Sequence, residues 1–290
     1  DETAVQADLI LPDHTTMEGW GYYTPALTDR MVVSSMQPIM RPLYDTRATV
    51  DVLLALAREL GGEVAQALPW PNEVDFVKGT VSSLNDGSRS DDAFWSEWRR
   101  HGGTWSDTQE LQSPTASGDF GAAISLSALA HGDRSEEYPY HLQPYPSITL
   151  FDGRGANKSW LQETPDPMTT VSWQTWIEIN EHTAEELGVD YDDVVRVISP
   201  AGEVRAIVYV YPGIGDEVVA MPIGRGHTHY GRFAAGKGSN PLHVLVPEID
   251  EATGGLAWGS TRVRIEPTDE QRALAREESP AGVEYMLEGH

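Results

Sequence analysis

The glycine-rich segment at residues 224–241, GRGHTHYGRFAAGKGSNP, is the part of the chain best equipped for ligand chemistry. Five glycines fall in the fifteen residues from Gly224 to Gly238, with His, Thr, Arg and Lys between them. Glycine lets backbone amides come close to a ligand, and these side chains can donate to phosphate or to a purine edge. The segment indicates a loop for an anionic, nucleotide-like ligand; the alternative is a long loop whose glycines only satisfy turns. The glycine spacing fits neither a P-loop nor the G-x-G-x-x-G fingerprint.

Histidines suggest two further possibilities. His227 and His229 stand two residues apart, so both could face one side of an extended segment as metal ligands. No third ligand stands near them, and a hydrogen-bonding role is the alternative. His14 belongs to a polar cluster at residues 13–18, after the apolar run LILP. Strand ends in α/β sheets bind ligands, so this cluster is either a ligand site or a capped turn.

The segment at residues 153–173, GRGANKSWLQETPDPMTTVSW, combines a glycine-rich turn, tryptophan and a run of polar residues. Prolines at 165 and 167 favour an extended path. Such a path presents Gln162, Glu163 and Thr169 in fixed directions, as in the lining of a ligand channel. The chain has no G-x-S-x-G motif and no familiar Ser-His-Asp spacing, so the sequence does not indicate a hydrolase.

The elements that position these segments differ between the two halves of the chain. Residues 1–62 alternate strand and helix signals: ADLILP and MVVSSM predict strands, and TVDVLLALARELGG predicts a helix capped by Thr49 or Asp51. This is the end of an α/β region. Residues 63–139 predict an irregular connecting region around one helix, DDAFWSEWRR, that stops at Gly102.

Residues 140–266 consist of short β-branched runs separated by turn residues, which predict a closed β-barrel. DVVRVISPAGEVRAIVYV predicts a hairpin turning at residues 200–202, and HTAEELG predicts a short helix capped by Asn180 or Thr183 and stopped by Gly188. Residues 267–290 predict a charged tail that follows the surface or contacts a partner. The predicted strands are SITLF, TWIEIN, DVVRVIS, EVRAIVYVY, EVVAMP, LHVLVP and TRVRIE.

Composition excludes several classes of protein. A chain of 290 residues with 40% hydrophobic content can fill a core, and its apolar runs are too short to span a membrane. Forty-five acidic and twenty basic residues give a net charge of −25, which excludes nucleic-acid binding. The absence of cysteine excludes disulfides, thiol nucleophiles and cysteine-bound zinc or iron–sulfur clusters in this chain.

Four stretches, taken in order, resemble the C-terminal part of molybdopterin oxidoreductase large subunits. The third looks like that family's terminal dinucleotide-binding domain, a double-psi β-barrel. The resemblance implies an α/β N-terminal portion, the end of a sheet domain, followed by a mainly β double-psi barrel. Within the family it is closest to polysulfide-reductase-like subunits and to the related subunit of alternative complex III. The stretches are ETAVQADLILPDHTTMEGWG, ANKSWLQETPDPMT, the run from Trp176 to Gly224, and GHTHYGRFAAGKGSNP.

The resemblance implies that this part of the protein closes over molybdopterin guanine dinucleotide, although the alternative complex III relative is thought to lack the cofactor. No catalytic residue and no metal ligand are assigned to this chain. The [4Fe–4S] and molybdenum ligands are expected on an N-terminal part of the large subunit, either a missing segment or a separate chain. The matching cofactor positions are Trp160, Leu161, Gln162 and Glu163 on one side and Gly226, His227, Thr228, Tyr230, Arg232 and Asn240 on the other.

Three functions are compatible with this sequence. The first is the C-terminal portion of a molybdopterin-type subunit in a membrane-associated respiratory complex, not catalytic alone. The second is a cofactor-free scaffold in an alternative complex III-like quinol oxidoreductase. The third is a stand-alone nucleotide-binding barrel. The resemblance implies an iron–sulfur subunit and a membrane subunit as partners, and a position on the extracytoplasmic, periplasmic face of the membrane.

Overall fold

The structure is a computed structural model. It describes residues 1–26, 30–107, 135–250 and 254–277. The chain forms two compact units. The smaller is Asp8–Gly118, and the larger combines Asp1–Ala7 with Asp119–His290. Among the described residues, no helix is long and apolar enough to cross a membrane.

The described residues of the smaller unit form a three-stranded antiparallel sheet and four helices. The strands, in the spatial order β1-β2-β3, are β1 Gly21–Tyr23, β2 Val32–Met36 and β3 Gly103–Trp105. The helices are α1 Thr49–Leu60, α2 Gly62–Ala67, α3 Glu73–Ser82 and α4 Asp91–His101. The unit confirms the predicted α/β portion, with the strands antiparallel.

The core of the smaller unit forms around α4. Trp98 is 1% exposed, stacks on Trp95 with ring centroids 5.2 Å apart, and packs among Val33, Val77 and Val81. Its indole Nε1 donates to the carbonyl of Val33 over 3.1 Å, so the buried polar group of this large side chain is satisfied.

The cap of α1 is not Thr49 or Asp51, as the sequence predicts, but Asp13. The backbone N of Thr49 donates to Oδ1 of Asp13 over 2.9 Å, and its hydroxyl donates to Oδ2 over 2.8 Å. Asp51 instead accepts the backbone N–H of Glu73 at the start of α3 over 2.6 Å. Both acceptors come from outside the helix they serve, so local sequence could not identify them, although α3 also has a local cap in Asn72, which accepts the N–H of Asp75 over 2.9 Å.

Two predictions for this part of the chain need correction. Residues 7–12, ADLILP, form no strand, and Leu9, Ile10 and Leu11 are 75%, 60% and 59% exposed because no described strand pairs with them. The region 63–139 is more regular than predicted, since α2, α3 and α4 lie in it or overlap it. The β-branched residues and glycine of α3 give it low helix propensity, and burial of Val77 and Val81 stabilises it. Residues 108–134 lie outside the described part.

The larger unit contains a closed barrel with the strand order β4-β8-β5-β7-β6-β9. The pairs β4–β8 and β5–β7 are parallel, and the other pairs are antiparallel. This mixed barrel confirms the predicted mainly β double-psi fold. Its strands are β4 Tyr140–Pro146, β5 Trp176–Ile179, β6 Asp193–Ser199, β7 Gly202–Val210, β8 Val218–Ile223 and β9 Arg262–Gln271.

Alternating apolar residues of these strands fill the barrel interior. Ile177, Ile179, Val195, Val197 and Met221 are each 0% exposed. The described part of this unit also contains the short helices α5 Ser159–Glu163, α6 Glu181–Leu187 and α7 Gly231–Ala234. The described residues of this unit also form 3₁₀ turns at Ala4–Gln6 and Pro241–Val244.

Several local predictions for the barrel are confirmed. β6 and β7 form the predicted hairpin, with Ser199 paired to Gly202. Helix α6 is capped by Asn180, which accepts the N–H of His182 over 2.8 Å, and it ends at left-handed Gly188. The other proposed cap, Thr183, instead donates its hydroxyl to the carbonyl of Asp216 over 2.7 Å.

Two predicted strands are wrong. SITLF at residues 147–151 is a turn, and the strand precedes it at β4. LHVLVP contains a 3₁₀ turn instead, because Pro241 has no N–H for a ladder and Asn240 accepts the N–H of Leu242 over 3.1 Å. β9 runs to Gln271, so the first residues of the predicted tail continue the barrel. Residues 278–290 of the tail lie outside the described part.

Candidate functional site

Two loops leave the same end of the barrel because their parent strands are parallel neighbours. β4 pairs with β8 in a register that sets Pro146 opposite Ile223. The chain after β4 forms residues 147–163, and the chain after β8 forms residues 224–240. The two glycine-containing segments identified in the sequence therefore start side by side.

The loop at residues 224–240 folds back on its own backbone. The N–H of Gly226 donates to the carbonyl of Lys237, and the N–H of Gly236 donates to that of His227, each over 2.8 Å. Gly226 has a left-handed φ of 83°, and a Cβ on it would overlap the backbone N of Asn240. Glycine is therefore required at Gly226 both for its conformation and for the close approach of two backbone segments.

A buried hydrogen bond joins the two loops. Gln162 is 0% exposed; its Nε2 donates to the carbonyl of Ala156 over 2.9 Å, and its Oε1 accepts Nε of Arg225 over 3.0 Å. Arg225 is 4% exposed. Burial lowers the pKa of its guanidinium to about 10, while the nearby Asp166 carboxylate favours the charged form. Arg225 is therefore still a cation at neutral pH.

Two further hydrogen bonds join the same loops. The Tyr230 hydroxyl donates to the carbonyl of Arg154 over 2.6 Å, and the backbone N of Phe233 donates to Oδ1 of Asn157 over 3.2 Å. Gly153 is also close to the second loop, since a Cβ on it would lie 2.7 Å from Nε2 of His227. The two loops thus form one connected surface.

Asp166 fixes the chain that follows α5. It is 8% exposed, and its Oδ1 accepts the backbone N–H groups of Met168 and Thr169 over 3.0 and 2.9 Å and the Thr169 hydroxyl over 3.2 Å. Thr169 is buried at 3% exposure in this turn, and together with Asp166 it borders a cavity of about 320 Å³. The buried carboxylate also contributes negative potential near Arg225.

The carboxylate of Glu2 lies against the second loop. Its Oε1 accepts the backbone N–H groups of Thr228 and His229 over 2.7 and 3.1 Å, and Oε2 lies 3.2 Å from Nδ1 of His227. The amide of His229, more than any other group, holds the pKa of Glu2 far below its usual range. Residues 227–229 therefore form a set of donors that holds an anionic oxygen.

The ten predicted cofactor residues fall into two groups. Gln162, Gly226, His227, Thr228, Tyr230 and Asn240 are engaged in the contacts that build the loops, and Leu161 packs beside Gly155. The other three have side chains open to solvent. These are Trp160, which is 63% exposed, Glu163, and Arg232, whose guanidinium lies 4.5 Å from the Phe233 ring centroid.

Both histidines of the second loop are hydrogen-bonded in the structure. The ring of His227 contacts Glu2 and lies 4.9 Å from the Tyr230 ring, while Nδ1 of His229 lies 2.9 Å from the Thr228 hydroxyl. No group of three metal-ligating side chains occurs in the residues that the structure describes. The geometry favours hydrogen-bonding roles for both histidines.

The polar cluster at residues 13–18 is a capped turn. Asp13 caps α1, as described above, and Glu18 accepts the backbone N–H groups of Thr15 and Leu43, each over 2.9 Å. His14 Nε2 lies 3.2 Å from the carbonyl of Thr46. These side chains therefore hold the backbone of the smaller unit.

Sequence reasoning missed Arg225, Asp166 and Glu2. Arg225 could have been found, because it directly follows the buried strand β8 and Gly224, where a charged residue needs a partner. Asp166 lay within a motif already singled out. No local signal could identify Glu2, since its partners are more than 220 positions away.

The comparisons with known proteins agree with this geometry. Residues 152–262 match the family model described as Molydopterin dinucleotide binding domain. The chain is 27% identical over 270 residues to the menaquinone reductase, molybdopterin-binding-like subunit of Nitratidesulfovibrio vulgaris, covering 91% of this chain and 36% of that protein. It is 24% identical over 337 residues to the arsenate respiratory reductase molybdopterin-containing subunit of Shewanella sp. (strain ANA-3). This match covers 90% of this chain and 39% of that protein.

The fold also matches a solved structure. Acetylene hydratase from Pelobacter acetylenicus superposes with a TM-score of 0.68 at 16% identity, covering 92% of this chain and 39% of that one. The chain spans under two fifths of the length of these three relatives. Residues 152–262 thus match a molybdopterin dinucleotide-binding domain, and the chain as a whole is similar to part of molybdopterin-binding reductase subunits.

Proposed function

We propose that this chain is part of a molybdopterin-type oxidoreductase subunit and that its barrel closes over molybdopterin guanine dinucleotide. The domain match at residues 152–262 and the reductase subunits among the relatives support the proposal. When bound, such a cofactor carries the metal at which substrate is oxidised or reduced. The residues of this chain bind and orient it.

The observation that carries the proposal is the buried contact between Arg225 and Gln162. A guanidinium at 4% exposure is costly to bury, and no carboxylate among the described residues lies within ion-pair distance of it. Arg225 therefore places a buried cation, with the Asp166 carboxylate near it, in the loop whose backbone N–H groups at residues 227–229 already hold a carboxylate. This donor set fits the phosphates and polar ring edges of a dinucleotide.

The ten predicted residues have distinct roles in this proposal. Trp160 offers an exposed indole face for a flat heterocycle, and Arg232 offers an exposed cation for a phosphate. His227 and Thr228 contribute donors from the loop, and Gln162 positions Arg225. Leu161, Glu163, Gly226, Tyr230 and Asn240 shape the surface around them.

The rest of the enzyme lies outside these residues. The chain contains no cysteine, so cysteine ligands for a [4Fe–4S] cluster must come from another segment or another chain. We propose that the partners are the N-terminal part of the large subunit, an iron–sulfur subunit and a membrane subunit. The assembly would lie on the extracytoplasmic, periplasmic face of the membrane and serve respiratory electron transfer.

A second function is favoured by Glu2. Its carboxylate fills the donors at residues 227–229, which suits a cofactor-free scaffold of the alternative complex III type. In that case the loop contacts serve only to close the barrel end.

Elemental analysis of the native assembly tests the two functions. The first expects molybdenum together with guanine nucleotide released on acid hydrolysis, and Trp160→Ala with Arg232→Gln should lower both while the assembly stays intact. Arg41→Gln, a change at an exposed arginine of the smaller unit, serves as the control. An intact assembly free of molybdenum and guanine would overturn the first function and leave the scaffold.

A further inference from the structure

A cavity of about 420 Å³ opens on the barrel near β7, the end of β9 and the last part of the 224–240 loop. Its charged lining consists of Arg205, Lys237, Arg272 and Glu270, and we call it the cationic cavity. None of the ten predicted cofactor residues lines it. Its volume suits a small organic ligand.

The charge of the cationic cavity is opposite to that of the chain. Three cationic side chains line it against one carboxylate, while the whole chain has a net charge of −25. Arg205 is paired with Glu270 over 2.9 Å. In the part of the chain that the structure describes, the side chains of Lys237 and Arg272 have no ion-pair partner. Two uncompensated cations therefore border one cavity, which favours an anionic ligand.

The backbone at the rim adds donors. Gly236 and Gly238 have left-handed φ values of 70° and 64°. Thr175, at 4% exposure, accepts the N–H of Ser239 over 3.0 Å and donates to its carbonyl over 3.2 Å, which fixes the rim. Among the described residues the backbone N–H of Gly238 makes no hydrogen bond. Gly238 directly follows Lys237 in the sequence. Such a rim is suited to an oxyanion.

The floor of the cavity is apolar. Val194 and Ile207 are each 4% exposed and Ala206 is 3% exposed, so the floor is a continuous wall of the barrel. Trp173 completes the lining with a left-handed φ of 62°, a conformation that costs a non-glycine residue free energy. An indole held in this way provides a flat apolar surface beside the cations.

We infer that the cationic cavity is a second ligand site, which takes a small molecule with a phosphate group attached to an apolar or aromatic body. Lys237, Arg272 and the Gly238 N–H bind the phosphate, and Trp173 with the apolar floor binds the body. The cationic cavity uses none of the ten residues assigned to the dinucleotide, but Lys237 and Gly238 belong to the same 224–240 loop.

Calorimetric titration of the purified protein tests the site with three probes. Phenyl phosphate carries both the phosphate group and an aromatic ring. Inorganic phosphate carries only the anionic group, and phenol carries only the ring. We expect phenyl phosphate to bind most tightly, inorganic phosphate more weakly, and phenol least. Lys237→Gln and Arg272→Gln should each weaken phenyl phosphate binding about tenfold, as expected for a charge-assisted hydrogen bond. Arg47→Gln, a change at an exposed arginine of the smaller unit, is the matched control.

The outcomes separate this site from the dinucleotide site. Lys237 and Arg272 are exposed, so their variants should unfold at the temperature of the unchanged protein. Equal binding of phenyl phosphate by the protein and by the double variant Lys237→Glu/Arg272→Glu would overturn the inference, as would no binding at all. Molybdenum and guanine content, measured on the same samples, reports on the dinucleotide site alone.

Discussion

The carboxylate of Glu2 accepts the backbone N–H of Thr228 over 2.7 Å, although 226 positions separate the two residues in sequence. Because Glu2 also accepts the N–H of His229, this one side chain ties the first residues of the chain to the loop of the candidate site.

The first prediction concerns the charge of Glu2. Glu2→Gln should lower the hydrogen-exchange protection of the Thr228 and His229 amides several-fold, because a neutral acceptor binds amides less strongly than a carboxylate. The pKa of Glu2 is lowered from 4.5, so the contact is fully present above pH 4.5 and is lost as pH falls toward the lower folded-state pKa. Glu185→Gln, an exposed change on α6, should leave protection unchanged at every pH. Equal protection in both variants would show that the carboxylate contributes nothing.

The second prediction concerns the buried bridge between the loops. Gln162→Leu leaves Nε of Arg225 without its acceptor, so the free energy of unfolding should fall by about 1 to 3 kcal/mol in urea titrations. Arg225→Met should cost a similar amount, because it leaves Oε1 of Gln162 unpaired. The double variant removes both polar groups and should cost less than the sum of the single changes. Strict additivity would mean that the two side chains are not coupled.

The third prediction separates backbone strain from steric overlap. Gly236→Ala forces a side chain into a left-handed conformation with nothing within 4 Å of its Cβ, and it should cost about 1 to 2 kcal/mol. Gly226→Ala adds overlap with the backbone of Asn240 and should cost more. Gly215→Ala has neither problem and should be close to neutral. Thermal unfolding of the three variants checks this order, and a Gly226 change no worse than the Gly236 change would contradict it.

The fourth prediction concerns the cap of α1. Asp13→Ala should destabilise the smaller unit by about 1 kcal/mol, because the first turn loses both hydrogen bonds that Thr49 donates to Asp13. Asp45→Ala, an exposed change nearby in sequence, should have an effect under about 0.5 kcal/mol. Chemical denaturation followed by tryptophan fluorescence measures both, and Trp95 and Trp98 are two of the nine tryptophans that contribute to the signal. A loss as large for Asp45 as for Asp13 would argue against the cap.

The sequence predicted the barrel because its strands carry their own signal. β5, β6, β7 and β8 are β-branched runs bounded by turn residues, and each was found where the pattern indicated. The sequence predicts a strand at SITLF, directly after the true strand β4. β4 contains Pro144 and Pro146, which weaken a strand signal, while SITLF has residue types that favour strands although it forms a turn.

The candidate site was predictable as two segments but not as a surface. Motif spacing identified residues 153–173 and 224–241, and the structure joins them through Arg225, Tyr230 and Phe233. Hydrogen bonds such as those of Glu2 depend on chain topology, and no local pattern of residues reports them. The same reason explains why Asp13 was not recognised as the cap of α1.

The parallel pairing of β4 with β8 has a consequence for how such proteins diversify. Both site loops emerge from one end of a barrel whose interior is already filled by Ile177, Val195 and Met221. Insertions and substitutions in either loop can therefore change what is bound without disturbing the strands that support it. The fixed alignment of Pro146 with Ile223 keeps the two loop origins adjacent through such changes, so exposed loop positions can vary while buried loop residues such as Gln162 and Arg225 stay constrained.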